Sequence, residues 1–85
     1  MITLEHIQTF KRFNGNIDGW ARMKKPEDTM TDKIWMEIEG ALQNLTLVNK
    51  GLAAESFSKQ TMEHLKRVGA NDEAVGALLN LSKNS

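Results

Sequence analysis

The chain has no cysteine and no tyrosine, one proline, two tryptophans and three phenylalanines in 85 residues. Without cysteine there is no disulfide framework, no thiolate metal site and no cysteine nucleophile. Without tyrosine, the phenolic acid–base chemistry of many active sites is excluded. No run approaches the ~20 consecutive apolar residues of a membrane-spanning helix. The first residues, Met1 to His6, lack the basic segment and apolar run of a secretory signal. The expectation is a soluble, cytoplasmic protein with no membrane contact. Excess charge of either sign is also missing: Lys plus Arg and Asp plus Glu both number 11. A balanced chain lacks the localised basic patch that strong nucleic-acid binding needs.

The balance hides a segregation along the chain. Five basic residues up to Lys25 (Lys11, Arg12, Arg22, Lys24, Lys25) face only Glu5 and Asp18. From Glu27 to Glu55 the acids dominate. Packing of the two halves against each other, with complementary charge, is the expected consequence. The competing expectation is a basic N-terminal face for an acidic partner.

What the chain does have is helical periodicity, punctuated by Asn14-Gly15, Pro26, Gly51 and Gly69. Glycine accepts the left-handed conformation that ends a helix, and proline disfavours helix in the residue before it. A first helix is expected over about 4–13, with Thr3 as its cap and Ile7, Phe10 and Phe13 on one face. Asp18 is expected to cap a short second helix over 19–25 containing Trp20 and Met23. Thr29 and Asp32 have the spacing of a capping box before a long central helix, about 30–50. There Ile34, Ile38, Ala41, Leu42, Leu45, Val48 and Leu52 repeat with helical period, flanked by Trp35. A fourth helix follows over 54–68, with Phe57, Thr61, Leu65 and Val68 on one face. A fifth, capped by Asn71, carries Val75, Leu78 and Leu81. The sequence therefore predicts an all-α fold, a compact bundle of four to five short helices around the long central one. It reads as a single domain over 1–82 with a frayed tail at 83–85.

The central helix carries a second apolar stripe, Met36, Gly40 and Leu47, nearly opposite the first at about 100° per residue. Gly40 costs such a helix about 1 kcal/mol relative to alanine, which suggests close approach of another helix. The first or second helix is expected to cover this stripe; if neither does, it is a groove or a homodimer seam. A second candidate surface is Trp20 with Arg22, Lys24 and Lys25 beside the proline-bounded loop, since Trp and Arg are enriched at binding hot spots. Burial of both tryptophans in the core is the competing expectation.

The segment Asn14-Gly15-Asn16-Ile17-Asp18-Gly19 resembles the opening of an EF-hand calcium loop. It has oxygen side chains at positions one, three and five and glycine at six. The resemblance implies calcium held by Asn14, Asn16 and Asp18 in a loop over 14–25. It departs from the pattern at position twelve, where Lys25 stands in place of the bidentate glutamate, and at position nine, which is Arg22. An ordinary helix–turn–helix cap is the simpler expectation. His6 and His64 each follow a glutamate and could meet if the first and fourth helices pack together, but neither helix has the spacing that sets two ligands on one face. The fourth and fifth helices resemble a helix-turn-helix, although Asp72 and Glu73 stand where phosphate contacts would be needed. The serines sit at helix starts or in the tail, and no nucleophile or phosphate-loop motif is present. The expected function is a small, non-catalytic, cofactor-free interaction or regulatory module with a protein partner.

Overall fold

The structure, a computed structural model, describes residues 1–84. Its five helices are α1 (Leu4–Arg12), α2 (Ile17–Met23), α3 (Asp32–Asn49), α4 (Glu55–Arg67) and α5 (Asp72–Lys83). The all-α fold follows the punctuation closely. Asn14 and Gly15 both take positive φ, 53° and 73°, and the Gly15 amide donates back to the Phe10 carbonyl at 3.1 Å. Gly51 and Gly69 likewise turn the chain with φ of 75° and 89°.

Local chemistry moved several expected boundaries. Asn16, not Asp18, caps α2, its Oδ1 accepting from Gly19 N–H at 3.2 Å. Thr31, not Thr29, caps α3 by accepting from Ile34 N–H at 3.1 Å. Thr29 is drawn away because its hydroxyl meets His6 at 2.8 Å. Asn71 caps α5 as expected, accepting from Ala74 N–H at 2.9 Å. That last helix runs through Lys83, the first residue of the expected tail. Ser85 lies outside the described residues.

Helix α3 is the spine, with α4 and α5 packed against it and α1 lying against α5 and α3. Trp35, Ile38, Ala41 and Leu45 form its buried face. Trp35 is central to the core, not a flank: it is fully buried between Phe10 (ring centroids 4.9 Å) and Trp20 (5.4 Å). Leu52, expected to extend the core stripe, is 72% exposed because the helix ends at Asn49 and Gly51 turns the chain away.

One long-range feature has no counterpart in the periodicity. Ile2 lies in the turn between α4 and α5, its amide donating to the Gly69 carbonyl (3.1 Å) and its carbonyl accepting from Asn71 N–H (3.0 Å). This single parallel bridge is the extent of β pairing among the described residues.

Candidate interaction surface

The α3–α4 face begins with how α3 is loaded. A helix of about 3.6 residues per turn that buries Trp35, Ile38, Ala41 and Leu45 must point Met36, Gly40 and Leu47 the other way. No described element buries Met36 or Leu47, while Gly40 is half-buried at the edge of α4. Met36 is 56% and Leu47 40% exposed, against the expectation that α1 or α2 would bury this stripe. Those two helices are instead occupied by the aromatic cluster on the opposite face of α3. Gly40 also fails to serve close packing within the fold, since a Cβ added there meets nothing within 4 Å.

Two hollows flank the Met36–Leu47 ridge. One, of about 300 Å³, lies between α3 and α4 and is lined by Met36, Gly40, Ala41, Phe57 and His64 among others. His64 fastens its edge, its Nε2 lying 2.7 Å from Glu37 Oε2. The other, of about 420 Å³, lies at the C-terminal half of α3 beneath Leu42, Thr46, Leu47, Lys50 and Leu52. Its wall is mostly apolar side chain, and Leu47 and Leu52 stand exposed at its rim.

The expected Trp20 surface does not form. Trp20 is 1% exposed, stacked on Trp35, and its Nε1 donates to Asp28 Oδ2 at 3.0 Å. Asp28 also accepts from the Met30 amide at 2.9 Å, and that backbone hydrogen bond, with the Trp20 bond, holds its carboxyl below the usual aspartate range. Trp20 is thus a core residue that pins the 24–31 connection to α2. Arg22, Lys24 and Lys25 remain exposed, with the Lys24 ammonium 5.2 Å from the Trp20 ring centroid, but they surround no accessible aromatic anchor. Among the described residues no Lys or Arg lies within ion-pair distance of an Asp or Glu, but the basic N-terminal half does bring Arg12 near enough to the acidic half to favour the charged form of Asp28.

The loop that resembles an EF-hand is not a loop. Helix α2 runs from Ile17 to Met23, through the positions that should wrap a cation. Asn16 spends its side-chain oxygen on the α2 cap, and Asn14, Asn16 and Asp18 all lie open to solvent. No cluster of three or more His, Cys, Asp or Glu with metal-holding geometry occurs among the described residues. The histidines do not meet: His6 bonds Thr29, and His64 bonds Glu37. Asp72 and Glu73 are exposed at the start of α5, and the turn before them is filled by Ile2.

His6 is the residue whose importance the sequence did not disclose. Its Nδ1 accepts from the Thr3 amide at 3.1 Å, the place where Glu or Gln stands in a capping box. That leaves the proton on Nε2, which donates to Thr29 Oγ1. A histidine three residues after a threonine was the available signal.

No family model matches this sequence, and no curated protein and no solved structure matches it. No helix among the described residues is long and apolar enough to cross a membrane.

Proposed function

We propose that this chain is a small, non-catalytic protein–protein interaction module whose docking surface is the outward face of α3, built from Met36, Gly40 and Leu47 with Leu52 at its end. One observation carries the reading: the longest helix buries one face in the core and presents apolar side chains on the other, with a glycine at its centre. Water is a poor neighbour for such a face, and covering it releases about 25 cal/mol for each Å² of apolar surface removed. Polar residues around it, Lys33, Gln43, Asn44 and Lys50, give the rim that interaction surfaces use for register and solubility. A cysteine-free chain, with no membrane-spanning helix among its described residues, suits a reducing cytoplasm, where we place its action.

The test is a photo-crosslinking residue introduced at Met36 in living source cells, with the same residue at exposed Lys59 as control. A product formed from position 36, absent from position 59 and lost on Leu47→Lys, is the expected result. Equal crosslinking from both positions, or no product from position 36, overturns the proposal.

A further inference from the structure

The geometry points to a second copy of this chain as the occupant of the α3 face, paired antiparallel about the midpoint between Gly40 and Gln43. This inference rests on the docking surface proposed above and names its partner.

Self-complementarity is the first ground. Helix α3 carries an exposed methionine near one end of its outward face and an apolar hollow near the other. When two such helices run antiparallel with their centres aligned, Met36 of each meets Leu47 of the other. The thioether then enters the hollow of about 420 Å³ framed by Leu42, Leu47 and Leu52. Methionine suits this task because its flexible, polarisable side chain fills irregular gaps. At the centre Gly40 lies opposite Gln43. The missing Cβ, with nothing within 4 Å on its own chain, lets the two helix axes approach toward the short end of the ~8–10 Å packing range. It also supplies the close approach that Gly40 lacks within its own fold.

Charge is the second ground. At about 100° per residue, Asp32, Gln43 and Lys50 fall along one edge of the stripe, and Lys33 along the other. A two-fold axis brings like edges together in an antiparallel pair. Asp32 of each copy therefore lies against Lys50 of the other, giving two symmetric opposite-charge contacts at the ends of the seam. Both residues are exposed, and neither has an ion-pair partner among the described residues.

A single-helix seam is small, so the pairing is a concentration-dependent equilibrium and not an obligate dimer. Sedimentation equilibrium of the purified chain should show the mass rising from one copy of 9.6 kDa toward two with concentration. Leu47→Lys should raise the dissociation constant about tenfold or more, with an unchanged circular-dichroism spectrum. If that variant unfolds, Met36→Lys at the more exposed position serves instead. Asp32→Lys and Lys50→Asp should each weaken association, and the double variant should restore it.

Because the chain has no cysteine, introduced thiols report the register. Gln43→Cys should form a disulfide with itself. Met36→Cys should not, its two copies being separated by about 16 Å along the axis at 1.5 Å per residue. Mixed with Leu47→Cys, it should crosslink. Self-crosslinking of Met36→Cys overturns the antiparallel register. A monomer at every concentration up to about 1 mM overturns self-pairing; the crosslinking in cells then decides separately whether a different protein occupies the face.

Discussion

A neutral imidazole at position 6 accepts from the Thr3 amide and donates to Thr29, and the accepting bond is lost if the ring gains a proton. Protonating Nδ1 would set an N–H against the Thr3 amide N–H. Burial accordingly holds the His6 pKa below its ordinary 6.5, against the opposing pull of Asp28 and Glu5 and with the Met1 amino group adding to the lowering. A base that is harder to protonate in the folded state binds fewer protons there than in the unfolded chain. Its contribution to stability is full above 6.5 and is lost as pH falls below 6.5 toward the folded value. Asp28 acts lower on the scale, its contribution being lost only as pH drops below 3.8 toward its own folded value. The urea midpoint should therefore fall between about pH 7 and about pH 5 in the native chain. His6→Gln keeps an acceptor for Thr3 and should flatten that dependence. An equally steep dependence in the variant would assign it to other groups. Trp20→Ala should cost about 3–5 kcal/mol by denaturant unfolding, because it empties a stacked core position and strands the Asp28 carboxylate. A surface tryptophan would cost far less. Trp35 Nε1 is buried without a partner, and the structure offers no physical account of it.

At the scale of the element, α3 holds two opposed demands on one glycine. Gly40 is helical, and the space an alanine methyl group would fill is open, so Gly40→Ala should stabilise the single chain by about 1 kcal/mol through helix propensity alone. The same methyl group stands in the proposed seam and should weaken self-association. Thermal melts at low concentration and sedimentation at high concentration read the two effects separately, and their opposite signs distinguish a seam glycine from a neutral one. Gly51 and Gly69 behave differently. Their positive φ makes Gly51→Ala and Gly69→Ala destabilising by about 1 kcal/mol or more, and at Gly69 the new Cβ also meets the Met1 backbone at 3.4 Å. The elements were the most legible part of the sequence. Caps, breakers and periodicity are local, and α1, α3, α4 and α5 begin and end within two residues of expectation. The misses were choices between neighbouring cap residues. Asn16 prevailed over Asp18, and Thr31 over Thr29 once His6 engaged the latter.

For the molecule as a whole, the N-terminal residues act as a clasp. Ile2 is 2% exposed and backbone-bonded on both sides of the α4–α5 turn, although it stands far from that turn in sequence. Ile2→Ala should cost about 2–5 kcal/mol, the range for truncating a buried aliphatic side chain. A surface-like loss, within about 0.5 kcal/mol, would show that the clasp is not formed. At the far end of the spine, the Asn49 side-chain amide donates to Ser82 Oγ at 2.9 Å, so α3 and α5 are also joined by a polar contact. The sequence by itself determined the helical class and the helix stops, and narrowed the count to four or five, because those depend on φ preferences, caps and period within a few residues. It also put Met36, Gly40 and Leu47 on one face of one helix. Only the tertiary structure decided that α1 and α2 pack on the aromatic side, burying Trp20 and leaving that face open. Which of two apolar stripes is covered depends on the competition among all the packing partners, and no single segment carries that information.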